Sequence, residues 1–250
     1  YAGHPCAIDE IRDIARDHDL RLIEDACHAL GASYKGRKTG TFADMTIFSF
    51  HPVKPITTGE GGAVVTDDPE LAARLKLLRS HGIDRNVGDM FGEGSQWAYD
   101  MVELGRNYRM TDIQAALGVS QLKKIDTFIK RRNDLAAVYE ELIGDLPWLE
   151  TPQCYGDITH GWHLYTVLLK GIKRNDLYRY LHQNNIGANV HYIPIYKFTY
   201  YQKLLQIDSR AFLATEDVFD RIITLPLHPA MTEGDLEYIS ETLKTAGSGL

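Results

Sequence analysis

Ile8, Ile11, Ile14 and Ala15 recur at helical spacing, so an amphipathic helix is predicted from about residue 7 to residue 18. The run LRLIED that follows is a short strand, which puts Asp25 at a strand's C-terminal end. MTIFSF is a second strand ending near Phe50, and GGAVVT a third that runs into the helix DPELAARLKLLRSHG. Strands alternating with helices predict an α/β layer with a mostly parallel sheet. In such sheets ligands collect outside the carboxyl ends of the strands, where both Asp25 and the loop around Lys54 fall.

Farther along, TDIQ from Thr111 has the Thr-x-x-Gln form of a capping box and opens the helix IQAALGVSQLKKI. Ile125, Phe128, Ile129, Leu135, Tyr139, Leu142 and Ile143 then mark a long helix with one apolar face, ended by Gly144 and Pro147. A domain boundary is placed there, dividing the chain into residues 1–145, which include the start of the long connecting helix, and a smaller α+β unit over 146–250. That unit is predicted to hold the strand HLYTVLL, the helix NDLYRYLHQNN closed by Gly187, the strand ANVHYI, and helices near 215–222 and 233–245.

Composition narrows the class without changing this outline. The chain has 250 residues, 44% hydrophobic and 24% charged, enough to bury a sizeable core and to split in two. No apolar run approaches the roughly 20 residues that cross a bilayer, and no leader opens the chain, so no membrane association and a cytoplasmic location are expected. A formal charge of -7 without a long basic cluster argues against nucleic acid as a partner. Cys6, Cys27 and Cys154 are widely spaced and form no CxxC, which suggests neither a disulfide framework nor a zinc site.

The candidate chemistry sits in EDACHALGA and in FSFHPVKPITTGEGG. Asp25 and His28 make a poor metal pair, because no third ligand stands at a recognisable spacing, and a plain turn is the default for them alone. Lys54 is different from an ordinary loop lysine, since Pro52 and Pro55 stiffen its approach and push it away from helical angles. A desolvated lysine forms imines with carbonyls, and a carboxylate opposite a pyridinium nitrogen is the other half of pyridoxal phosphate chemistry. Asp25 is the candidate for that carboxylate. Ser49 either donates to a phosphate or merely ends its strand, and Gly59, Gly61 and Gly62 either make a tight turn or allow a ligand's close approach.

The ordered set EDACHALGASYKGRKTGTFADMTIFSFHPVKPITTGEGGAVVTDD, then RSHGI, then LGRNYRMTDIQAALG, resembles the DegT/DnrJ/EryC1/StrS sugar aminotransferases over nearly the whole chain. The combination with VHYIPIY and LPLHPAM is most similar to the transaminases of pseudaminic acid synthesis. The resemblance implies an aspartate aminotransferase-like α/β fold of the three-layer type, with a smaller C-terminal α+β domain. It implies pyridoxal 5'-phosphate as cofactor, a UDP- or dTDP-linked 4-keto-6-deoxy sugar as substrate, glutamate as amino donor, and a homodimer with shared active sites.

Residue by residue, the resemblance implies that Lys54 holds the cofactor through its amine and then moves the proton, and that Asp25 pairs with the ring nitrogen. His28 would sit by the ring and its phenolic oxygen, Ser49 would bind the phosphate, and Asn107 would reach the phosphate held by the neighbouring subunit. Arg109, His191 and His228 are candidates for substrate contact, each balanced by an ion-pair or packing role; His51 has no assignment. Relatives begin earlier, with a phosphate-gripping loop, so the chain reads as the C-terminal two-thirds of such an enzyme, truncated at its N-terminus. Weak cofactor retention by this chain alone is then expected, since a helix N-terminus is a main anion anchor in such sites. Two alternatives stay open: a dehydratase-like enzyme of the same fold, disfavoured because those carry histidine where Lys54 stands, and a non-catalytic binding module.

Overall fold

A computed structural model of the chain describes residues 1–86, 90–205 and 207–249. The first part runs α1 (Ile8–Asp17), β1 (Ile23–Asp25), β2 (Ser33–Tyr34), β3 (Arg37–Lys38), β4 (Met45–Ser49), β5 (Gly62–Val65), α2 (Pro69–Arg79), β6 (Ile83–Asp84), β7 (Asp100–Met101), α3 (Asp112–Leu122) and the long α4 (Ile125–Ile143). The second part runs β8 (Leu149–Glu150), β9 (Ile158–Thr159), β10 (Tyr165–Leu169), α5 (Arg174–Gln183), α6 (Thr199–Leu205), α7 (Leu213–Arg221), β11 (Ile222–Leu225) and α8 (Glu233–Gly249).

The sheet that carries the candidate chemistry has the order β1-β4-β5. β1 and β4 are parallel, with Asp25 opposite Ile47, whereas β4 and β5 are antiparallel, with Ser49 opposite Gly62. The expectation of a mostly parallel sheet therefore needs correcting among the described residues. The reason is the connection: residues 50–61 contain no helix, and a parallel return needs a crossover of about a dozen residues or more, usually helical. α1 forms as its periodicity predicts, yet it buries only Ile8, which joins Tyr34 and Phe42; Ile11 and Ile14 stay exposed.

The largest core lies farther along the chain. α4 buries Ile129, Arg132, Leu135, Ala136, Tyr139 and Ile143, a stripe at helical spacing, and its second half packs with β10, α5, β11 and α8. Along β10, Tyr165, Val167 and Leu169 are buried in strict alternation, and β11 is buried at all four positions, so both of its faces are covered. Tyr139 and Tyr165 stack with ring centres 4.6 Å apart, and Tyr139 donates to the carbonyl of Pro226. We propose residues 1–145 and 146–250 as the two units, with α4 shared between them.

Gly144 follows α4 in a helical conformation, so close approach rather than a left-handed turn is what it supplies: a Cβ there would stand 2.5 Å from the Glu140 carbonyl oxygen. Two local expectations also change. α5 ends at Gln183, and the left-handed residue after it is Asn185 (φ 56°), not Gly187, because an Asn tolerates that region. ANVHYI is no regular strand; Asn189 makes a single bridge to Thr224, and Pro194 and the 3-10 turn just beyond stop its extension. Among the described residues, no helix is long and apolar enough to cross a membrane.

Arg132 holds these parts together. It is 5% exposed, and its guanidinium donates to the carbonyls of Trp162 at 2.8 Å and Leu227 at 2.9 Å. Burial lowers its pKa to about 10, so it remains charged at neutral pH. Arg132→Leu strands two buried carbonyls and is expected to destabilise the fold by roughly 2–4 kcal/mol, read from urea unfolding. A loss below about 0.5 kcal/mol would show the two bonds to be incidental.

Candidate active site

Parallel pairing of β1 with β4 sets Asp25 and Ser49 at neighbouring carboxyl ends of the sheet, the position where ligands gather. From there the chain makes a loop tied at its base. Phe50 N–H donates to Gly61 at 2.9 Å, Thr58 N–H to Phe50 at 3.0 Å, and the Thr58 hydroxyl to Glu60 at 2.7 Å. Lys54 stands within this loop, its N–H donating to the His51 carbonyl at 3.0 Å, while Pro55, Ile56 and Thr58 are buried beneath it. α3 supports the same loop from outside. Its capping box is present, and Gln114, which completes the box, also donates to the Glu60 carbonyl at 3.0 Å. A motif read in the sequence as a helix start thus doubles as a brace for the lysine loop.

The Lys54 amine is half-buried, and that burial lowers its pKa, against the opposing pull of Cys27 and Asp25. Its charge reaches Asp25, Cys27, His28, His163 and His191, so these six side chains form one electrostatic group. Asp25 is held below the usual carboxylate range by Cys27, through the neighbouring side chain first and through the backbone N–H, 3.0 Å from Oδ1, second. Burial first, and then the adjacent Asp25, push the Cys27 thiol up to about 11, so it stays protonated, and its hydrogen-bond acceptor is the Ile47 carbonyl at 3.9 Å. Burial, and then the Lys54 charge, push His28 down to about 4.

His28 accepts from the Ala2 N–H at 3.2 Å and lies 3.4 Å from the Tyr192 hydroxyl. His191 is half-buried, with its pKa lowered by burial first and by Lys54 second, and its Nδ1 is 2.9 Å from the Thr224 hydroxyl. The Ser49 hydroxyl accepts the His51 N–H at 3.3 Å and has its own proton to give. His51 is exposed, and its carbonyl and ring nitrogen serve the turn that carries Lys54.

The other expected residues lie apart from this group. Asn107 forms a bridge with Ser80, and Arg109 lines an open groove of about 960 Å³ beside Arg74, Arg79 and Arg85. Exposed His228 follows Leu227, whose carbonyl Arg132 grips. Among the described residues, none of these three makes a hydrogen bond or ion pair with Asp25 or Lys54, and no group of three or more His, Cys, Asp or Glu is placed to hold a metal ion. Cys27 and His163 of this group, and Tyr192 beside His28, were not singled out as site residues from the sequence. Only Cys27 carried a signal, standing two residues from Asp25 in a tight turn.

Several comparisons bear on this geometry. A sequence model described as the DegT/DnrJ/EryC1/StrS aminotransferase family matches residues 1–244. The chain is 41% identical over 247 residues to the UDP-4-amino-4,6-dideoxy-N-acetyl-beta-L-altrosamine transaminase of Campylobacter jejuni, covering 97% of this chain and 63% of that protein. It superposes on Helicobacter pylori PseC, described as an aminotransferase involved in the biosynthesis of pseudoaminic acid, with a TM-score of 0.91, 33% identity, and coverage of 100% and 66%. The PLP-form of the putative sugar aminotransferase Spr1654 from Streptococcus pneumoniae gives a TM-score of 0.88 at 30% identity, covering 99% and 66%. The chain therefore has the mixed α/β fold of these aminotransferases and spans slightly less than two thirds of their length.

Cys27→Ala removes the side chain that most lowers the Asp25 pKa but leaves the backbone N–H, so the Asp25 pKa is expected to rise toward the ordinary carboxylate value, read by carbon-13 NMR titration of the carboxyl group. A depressed pKa contributes stability that is present above the unfolded value and lost as pH falls through the folded one. The variant should accordingly draw less stability from Asp25 at neutral pH, and that smaller contribution should be fully lost at a higher pH than in the unaltered chain. An Asp25 titration that does not move would show that the Cys27 side chain does not act on the carboxylate.

Proposed function

The chain belongs to the DegT/DnrJ/EryC1/StrS aminotransferase family, and from that membership we propose that its protein is a pyridoxal phosphate-dependent transaminase of a nucleotide-linked 4-keto-6-deoxy sugar, with glutamate as amino donor. One observation carries the proposal: an amine whose pKa burial lowers shares a cluster with a carboxylate that its neighbours hold ionised. An amine of lowered pKa gives up its proton more readily than an ordinary lysine and so serves better as a nucleophile and base, and a persistent carboxylate is the partner that a protonated ring nitrogen requires.

The donor set fits pyridoxal phosphate. Asp25 would hold the ring nitrogen, His28 the phenolic oxygen, Ser49 the phosphate, and Lys54 the carbonyl carbon, with Asn107 reaching a phosphate from a second subunit of a homodimer. When bound, the cofactor supplies a carbonyl that takes up the amino group and a ring that withdraws electrons from the reacting carbon. The protein's own work is then positional and protonic. Lys54 Nζ, in its unprotonated form, would take the proton from the amino donor's α-carbon and later deliver a proton to the sugar carbon. Asp25, held ionised with the help of Cys27, would favour a protonated ring nitrogen. His191, within the cluster, is the residue we place toward the sugar nucleotide, with Arg109 and His228, which lie apart from the cluster, as further candidates. A UDP-linked substrate follows what the Campylobacter relative's name states of that protein.

Incubation with pyridoxal phosphate, borohydride reduction and peptide mapping should put the cofactor's mass on the peptide bearing Lys54, and Lys54→Ala should abolish it without unfolding the chain. Asp25→Ala removes a charge-assisted contact of about 1.5–3 kcal/mol, an expected weakening of cofactor binding by roughly 10- to 150-fold. With nitrogen-15 glutamate and a UDP-ketosugar, the label should appear on the sugar. Reduction products spread evenly over the lysines would remove the proposal.

A further inference from the structure

His163 lies two residues before β10, is 5% exposed, and has no hydrogen-bond partner on either ring nitrogen among the described residues. Burial lowers its pKa to about 2, with the charges of His28 and Lys54 adding to the shift, so the ring is neutral. A neutral imidazole still carries one N–H, and an unmet buried donor costs about 1–3 kcal/mol. The ring packs against His28, with centres 4.5 Å apart and planes inclined by 64°.

His28 is held by a second contact that fixes where its proton lies. The Ala2 N–H stands 3.2 Å from His28 Nδ1. A backbone amide can only donate, so Nδ1 is bare and the neutral ring carries its proton on Nε2. The amide cannot readily move away. Ala2 (φ 55°) and Gly3 (φ 107°) turn the chain, Gly161 N–H donates to the Gly3 carbonyl at 2.8 Å, and Leu164 N–H donates to the Ala2 carbonyl at 3.2 Å. A Cβ at Gly3 would lie 2.6 Å from the Trp162 nitrogen, so only glycine admits this approach. The segment 160–164 therefore carries His163 and also anchors the strap whose amide meets His28.

We infer that His163 is a positioning residue: with the Ala2 amide it holds His28 as a single tautomer whose Nε2–H is presented to the site as a donor. A donor fixed in this way stabilises negative charge on an oxygen and cannot take a proton from it. Tyr192 Oη, 3.4 Å from Nε2, is the acceptor the chain itself provides. That the oxygen met in the working site is the cofactor's phenolic oxygen rests on the function proposed above; the tautomer is a property of the chain alone.

Histidine nitrogen-15 NMR of the full chain without cofactor, near neutral pH, reads this directly. His28 should show a pyridine-type Nδ1 and a pyrrole-type Nε2, unaveraged. His163→Leu, which fills the space without a planar ring, should shift both toward the averaged positions of a freely exchanging imidazole, and His163→Phe, which restores the inclined ring, should bring the unaveraged pair back. Averaged shifts in the unaltered chain would overturn the inference whatever the variants do, and so would His28 shifts that His163→Leu leaves in place. Borohydride labelling of Lys54 separates the two readings: labelling with an averaged His28 removes this inference and keeps the function, and a locked His28 without labelling does the reverse.

Discussion

The attraction between the Lys54 amine and the Asp25 carboxylate is the interaction on which the site depends. Half-burial of an amine opposes its charged form, and nearby anions favour it. The two effects act in opposite directions on Lys54, with burial the larger. An amine balanced in this way changes protonation easily, which a deeply paired lysine cannot do. Asp25 must stay ionised for the balance to exist, and Cys27, with its N–H on the carboxylate and its side chain beside it, does that locally, without a second cation that would compete for the amine's role.

Much of this was legible in the chain's pattern, and the reason is that the relevant elements are local. Asp25 at the end of β1, Ser49 at the end of β4 and the proline-flanked Lys54 follow from apolar runs and turn residues within a few positions of one another. The capping box at Thr111 was likewise complete in four residues. What was not legible depends on long-range pairing. No periodicity tells that β5 returns antiparallel to β4, or that Ile11 and Ile14 keep an apolar face exposed. His163 was invisible for the same reason: in HLYTVLL it reads as a strand's edge, and its meaning comes from His28, 135 positions earlier in the chain.

The second core explains how residues from the C-terminal unit come to bear on the first sheet's ligand edge. α4 buries an apolar stripe among β10, β11 and α8, but the side chains it spends on loops are polar. Arg132 grips the carbonyls of Trp162 and Leu227, Asn133 that of His160 at 2.9 Å, and Tyr139 that of Pro226 at 2.8 Å. These loops flank β10 and follow β11, so packing of the large core sets the place of His163, while Thr224 on β11 sets that of His191. Stability and site geometry are thus carried by the same helix.

The charge state of the cluster completes the logic. His28, His163 and His191 all have lowered pKa values, with burial the first cause in each and Lys54 a contributor to each. Three imidazoles beside a carboxylate would ordinarily offer it a choice of cationic partners near neutrality. Here none of them is charged, so the only cation acting on Asp25 from within the cluster is Lys54 when protonated. Once Lys54 gives up its proton, Asp25 is an anion with no cationic counterpart in the cluster, and the site then favours a ligand that brings its own positive charge to that carboxylate. A protonated ring nitrogen meets this demand, which is why the neutral histidines and the single lysine belong to one electrostatic design.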